Sequence, residues 1–127
     1  MDGDKEVLIV EDEVLFAMPL ARRLEAMGIK LRGIVASGEA AVAAASTMHS
    51  GLVIMDVSLH GAMDGLQAAL AIRAATRVPI FFVTGYEDEE TARSIAAITD
   101  IPPLIKPVSV AELVKVVASL IRDSSER

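Results

Sequence analysis

Six polar side chains stand directly after short apolar runs. Glu11, Asp12 and Glu13 follow Val7-Leu8-Ile9-Val10, Asp56 follows Leu52-Val53-Ile54-Met55, Thr84 follows Ile80-Phe81-Phe82-Val83, and Lys106 follows Leu104-Ile105. Acids brought close together repel one another unless a cation sits among them. Mg²⁺ suits that role, as a hard ion that takes one or two protein carboxylates, keeps several waters and accepts substrate phosphate oxygens. Mn²⁺ is the alternative divalent ion with the same taste for carboxylate and water. A threonine hydroxyl can hydrogen-bond a phosphoryl oxygen, and a lysine can neutralise another as a point charge. Asp56 is then left as a carboxylate nucleophile that would form an acyl phosphate.

For these groups to meet, the runs that precede them must be strands ending on one rim. The runs Val7–Val10, Leu31–Val35, Leu52–Met55, Ile80–Val83 and Leu104–Ile105 are short and rich in β-branched residues. Four of the five are continuous rather than alternating, which predicts strands buried on both faces of a parallel sheet. Segments with helical spacing separate them. The clearest is Val110, Leu113, Val114, Val117, Leu120 and Ile121, with Glu112, Lys115, Arg122 and Asp123 opposite. Leu20, Leu24 and Met27 read the same way, as do Leu66, Ala69, Leu70 and Ile72.

Punctuation agrees with this reading. Gly28 closes the first helical stretch, Asp64-Gly65 opens the third, and Ser109 with Glu112 forms a capping-box pattern. Pro79 sits at a strand's first position, where it is tolerated. Pro19 falls inside the first helix, so the helix must begin late or bend there. Five β-then-α units predict an α/β fold: one doubly wound, five-stranded parallel sheet in a three-layer sandwich. In such sheets ligands bind beyond the carboxyl ends of the strands, near the point where strand order reverses.

Composition narrows the remaining classes. A length of 127 residues fits one domain. The absence of cysteine excludes zinc fingers, iron–sulfur sites, thiol nucleophiles and disulfides. A net charge of −6 argues against direct nucleic-acid binding. No start resembling a signal peptide and no apolar stretch near the ~20 residues of a membrane span are present, so a cytoplasmic protein without membrane contact is expected.

With these residues in place, the sequence resembles the receiver domain of two-component response regulators over about residues 6–122. The resemblance rests on Val7-Leu8-Ile9-Val10-Glu11-Asp12-Glu13, Val53-Ile54-Met55-Asp56, Met63-Asp64-Gly65, Val83-Thr84-Gly85 and Ile105-Lys106-Pro107, in this order. It implies a flavodoxin-like (βα)5 fold with Asp56 as phosphoacceptor and Asp12 as a direct Mg²⁺ ligand. Glu11 would bind the metal directly or through water, and the Ser58 carbonyl would complete the protein ligands. Thr84 is then the switch hydroxyl, Lys106 the phosphoryl-binding cation, and Lys106–Pro107 a cis bond. A sensor histidine kinase or histidine phosphotransfer protein would donate the phosphoryl group, and a downstream target protein would read the result. Homodimerisation is common among receivers, and no residue here decides it. The expectation is a single stand-alone receiver over residues 1–127 with no output domain.

Departures from the pattern are informative. His60 stands where many receivers have proline, and Asp64-Gly65 comes one residue later than usual. Pro103 occupies the position of the usual switch aromatic. Thr84-Gly85-Tyr86 instead places the chain's single tyrosine two residues after the switch threonine, which suggests a variant subgroup and transmission through Tyr86.

Plainer roles are expected elsewhere. Glu13 reads as a solvated or helix-capping acid, and Ser58 beyond its carbonyl as a loop residue or a group that steers water. His49 and His60 lack acidic or His partners at ligand spacing and read as surface residues. Glu87-Asp88-Glu89-Glu90 reads as a helix N-terminus favoured by the macrodipole, the methionines as core filler, and Arg22-Arg23 as solvated. Three rivals remain. An aspartate-nucleophile phosphatase of the haloacid-dehalogenase type would want a second Asp where Ser58 stands. A flavin or nucleotide module would want a phosphate-cradling loop where Glu11-Asp12-Glu13 stands. A receiver-fold interaction module that is never phosphorylated is opposed by the intact set of acids, Thr84 and Lys106.

Overall fold

A computed structural model describes residues 5–125 of the chain, in which strands and helices alternate throughout. The strands are β1 (Glu6–Val10), β2 (Lys30–Val35), β3 (Gly51–Asp56), β4 (Ile80–Thr84) and β5 (Leu104–Ile105). The helices are α1 (Val14–Ala26), α2 (Gly38–Ala45), α3 (Gly65–Ala75), α4 (Glu89–Ile98) and α5 (Val110–Ser125). All pairings are parallel and the order is β2-β1-β3-β4-β5, so strand order reverses between β1 and β3. The predicted doubly wound α/β sheet is therefore the fold observed.

Side-chain parity explains the three layers. Leu8, Val10, Val53, Met55, Ile80 and Phe82 face α2, α3 and α4, where Ala41, Ala45, Ala68, Ala69 and Ile72 let the helices approach closely. Val7, Ile9, Leu52, Ile54, Phe81 and Val83 face α1 and α5, through Ala17, Leu20, Leu24, Leu113 and Val117. Both sets are fully or almost fully buried, which is why these strands read as unbroken apolar runs. The expectation of four such strands is trimmed to three. β1, β3 and β4 are buried, β2 alternates along the sheet edge, and β5 has two half-buried residues. Pro103 and Pro107 bracket β5 and supply no N–H for a longer ladder.

At β2 the register slips: Val7 pairs with Leu31 and Leu8 with Gly33, so Arg32 is the extra residue of a bulge. Arg32 turns back to Glu6 (3.0 Å), the Ala44 carbonyl (3.2 Å) and Thr47 (2.6 Å), tying the edge strand to β1 and α2.

Caps follow the sequence signals closely. Asp64 and Gln67 form a complete capping box at α3, Ser37 caps α2, Asp88 caps α4, and the Ser109 hydroxyl accepts the Glu112 amide at 3.0 Å. The helices settle the place of Pro19 and depart from expectation at Met27, Leu70 and Met18. α1 begins at Val14, so Pro19 lies inside it. Pro19 and Leu15 are both exposed, which leaves the Leu15 carbonyl, deprived of its N–H partner, open to water. Met27 and Leu70 are 53% and 59% exposed, outside the apolar faces to which their spacing assigned them. Met18 joins them at 40%, whereas Met48 and Met55 are core residues.

Candidate functional site

The reversal of strand order opens a crevice at the carboxyl ends of β1 and β3, and the acids stand on its two lips. Val10 pairs with Met55, so Glu11 and Asp12 emerge beside Asp56. Oxygens of Glu11, Asp12 and Asp56 lie within 4.8 Å of one another. Glu11 and Asp56 are 5% and 3% exposed, and such burial of paired acids calls for compensating charge. Lys106, delivered by β5, provides part of it: its Nζ lies 3.4 Å from Glu11 and 3.5 Å from Asp56. The Lys106 amide donates to the Thr84 carbonyl at 2.8 Å, which fixes where the side chain starts. The ammonium also lies 5.7 Å from the Phe16 ring centre, a cation–π contact from the first turn of α1.

One lysine does not neutralise three carboxylates. Burial, reinforced by the charge of Asp56, pushes the Glu11 carboxyl up from 4.5 to about 7, against the lowering pull of the Glu13 amide and Lys106. Burial would lower the Lys106 ammonium, but Asp56 and Glu11 outweigh it and hold it above its ordinary value. Burial would raise Asp12, yet hydrogen bonding and charge from His60 bring it below the usual carboxylate range. Three clustered carboxylates with charge left over could hold a divalent cation.

The surrounding loops complete the geometry. The Ser58 amide donates to Asp56 Oδ1 at 2.9 Å. Gly65 passes so close to β3 that a Cβ there would collide with the Asp56 backbone carbonyl. Its amide donates to the Val57 carbonyl at 3.1 Å, which fastens the start of α3 beneath the site. Thr84 is fully buried at the end of β4, and its hydroxyl accepts the Tyr86 amide at 3.0 Å. The Tyr86 side chain is 53% exposed. The Lys106–Pro107 peptide is cis, as the resemblance requires.

The crevice thus brings together Glu11, Asp12, Asp56 and Lys106, with Ser58 beside them and Thr84 on the neighbouring strand. Glu13 sits at the α1 N-cap position without a side-chain cap bond, and its carboxylate faces Lys106 at 3.9 Å. His49 is an exposed residue, as expected. The reading of His60 is corrected: its ring is exposed, but Nδ1 lies in direct contact with Asp12 Oδ2. Phe16 had gone unremarked; its only sequence signal is an aromatic residue one turn into the helix after the acidic strand end.

An acidic crevice with an opposed lysine thus stands at the reversal point of a doubly wound sheet, where such folds bind their ligands. The family model described as "Response regulator receiver domain" matches residues 7–118, and the chain belongs to this family. The transcriptional regulatory protein PdtaR of Mycobacterium tuberculosis is 33% identical over 110 residues, covering 87% of this chain and 53% of PdtaR. The chain thus spans about half the length of this curated relative. The receiver domain of a modulated diguanylate cyclase from Desulfovibrio desulfuricans G20 superposes with a TM-score of 0.79 at 32% identity, covering 94% of this chain and 95% of that one. The receiver domain of the sensor histidine kinase PA1611 from Pseudomonas aeruginosa PAO1, solved with a magnesium ion in its active-site cleft, gives a TM-score of 0.77 at 28% identity. That likeness covers 93% of this chain and 98% of that one. Among the described residues, no helix is long and apolar enough to cross a membrane.

Proposed function

We propose that this receiver accepts a phosphoryl group on Asp56 from a phosphohistidine of a sensor kinase or phosphotransfer protein. The observation that carries the reading is the burial of Asp56 between two further acids with Lys106 Nζ at 3.5 Å. An Asp56 oxygen forms the new P–O bond as the P–N bond to the donor imidazole breaks, and the imidazole leaves with the bonding electron pair. The Ser58 amide at 2.9 Å orients the Asp56 carboxylate for this attack. Lys106, held at the end of β5, balances charge on the transferring group. Glu11, Asp12, Asp56 and the Ser58 carbonyl would hold Mg²⁺, which when bound screens the negative charge of the phosphoryl oxygens.

The switch follows from Thr84. Its hydroxyl now accepts the Tyr86 amide, and a turn toward a phosphoryl oxygen would release that amide and reposition the loop before α4. Tyr86, exposed on this loop, would carry the change to a downstream protein. This signalling role places the domain in the cytoplasm, with protein partners rather than nucleic acid or membrane, and treats residues 6–122 as one unit. Incubation with Mg²⁺ and acetyl phosphate should add one phosphoryl group, detected by intact mass and absent in Asp56→Asn. A chain that stays unmodified under these conditions overturns the reading.

A further inference from the structure

The contact between His60 and Asp12 has no part in the phosphoryl-transfer scheme above. We propose that His60 is a nitrogen donor to the divalent-cation site, which turns its preference from Mg²⁺ toward Co²⁺ and, to a smaller degree, Mn²⁺. This inference rests on the reading of Glu11, Asp12 and Asp56 as a cation site and specifies which ions that site favours.

The loop between β3 and α3 presents the ring by construction. Leu59 is buried and anchors the chain on one side of His60, and Gly61 (φ +106°) turns it back on the other, a conformation that suits glycine. Asp64 then caps α3. Between anchor and turn, His60 projects over the crevice, with Nδ1 in direct contact with Asp12 Oδ2. The imidazole is 93% exposed apart from this contact, so little packing opposes the movement that, with the ring proton passed to Nε2, would bring the Nδ1 lone pair in to an ion held by Glu11, Asp12 and Asp56.

The donor chemistry favours this role. Three carboxylates already crowd the crevice, and a fourth acid would add repulsion. A neutral imidazole adds a ligand without adding charge. Mg²⁺ prefers oxygen and water and takes little from a nitrogen donor. Mn²⁺, and Co²⁺ more strongly, accept mixed nitrogen and oxygen sets, with affinities rising along the first transition row.

The test titrates Mg²⁺, Mn²⁺ and Co²⁺ separately into the full chain, its His60→Ala variant and Asp12→Asn, by calorimetry at one fixed pH. Loss of His60 should weaken Co²⁺ by ~10-fold or more and Mn²⁺ by a smaller factor, while Mg²⁺ changes less than about twofold. Electron spin-echo spectra of the Mn²⁺-loaded chain should show nitrogen modulation that His60→Ala removes. Equal weakening of all three ions would make His60 a loop-positioning residue only. Tighter binding in His60→Ala would make the ring a plug, and absent nitrogen modulation would exclude coordination; each result overturns the inference. A chain that binds none of the three ions overturns the cation site itself and this inference with it. Co²⁺ binding with nitrogen coupling but no Mg²⁺ binding would remove Mg²⁺ alone and leave His60 as donor.

Discussion

The charged part of the site sets Lys106 against Glu11 and Asp56 at 3.4–3.5 Å, and burial, reinforced by Asp56, raises the Glu11 carboxyl to about 7. In the neutral part, β4, lying between β3 and β5, ends in Thr84, a fully buried residue whose hydroxyl accepts a single backbone amide. The first part is held by strong, mutually frustrated charges fixed at strand ends. The second is held by one hydrogen bond of about 1 kcal/mol to a loop. A newly added anion has most to gain from the first and can most easily rearrange the second. Strong fixed charge and a weakly held loop thereby stand close together at one end of one sheet.

The largest expected effect comes from removing a charge from the charged part. Lys106→Met should slow phosphoryl incorporation from acetyl phosphate by ~100-fold or more, as loss of a transition-state charge partner does. A time course of intact mass measures this, and an unchanged rate would end the assignment of Lys106.

Packing beneath the same part is next. Gly65→Ala drives a methyl group against the Asp56 carbonyl and should lower stability by about 1–3 kcal/mol, read as a shift of the urea midpoint. An equal loss from alanine at exposed Gly85, where an added Cβ meets nothing, would show that no special approach exists at Gly65.

A pH comparison sharpens the contrast further. Without added metal, the Glu11 carboxyl titrates at about 7 in the fold and 4.5 when unfolded. Between these values the folded state binds more protons, so this group's contribution to stability falls as pH rises through 4.5–7 and stays low above. Relative to the parent, Glu11→Gln should therefore gain stability on going from about pH 5 to about pH 8. Parallel pH profiles for the two proteins would contradict the burial-driven shift. Thr84 lends no such pH dependence.

The smallest effect belongs to the neutral part. Thr84→Val leaves the Tyr86 amide without its acceptor and should cost about 1 kcal/mol, seen as faster hydrogen exchange at that amide. Thr84→Ser should restore protection. If both variants exchange alike, the Thr84–Tyr86 bond does not govern the loop.

Most of the charged part could be read directly from the chain. Asp56, Thr84 and Lys106 each follow a run of apolar residues, and a parallel sheet brings such ends to one rim whatever the loops do. Asp64 and Ser109 announced their helices because capping chemistry is local. What escaped depends on loop path or on the limits of an apolar face. His60 reaches Asp12 across 48 positions only because Leu59 and Gly61 shape the turn around it. Phe16 finds Lys106 from a helix no local pattern orients toward β5. Met27 falls at the C-cap beyond the last turn of α1, and Leu70 lies off the buried stripe of Ala68, Ala69 and Ile72 on α3. The two-residue length of β5 reflects its flanking prolines rather than its own composition.

The bulged strand β2 bears on how other proteins can engage this domain. Its outward row carries Lys30 and Arg32, and the slip at Arg32–Gly33 breaks the regular ladder of backbone groups. At the opposite edge β5 offers two residues between prolines. Both borders are thus blunted against the addition of a foreign strand. β-Augmentation is disfavoured there, which leaves the helices and the loops of the rim as the better surfaces for a partner.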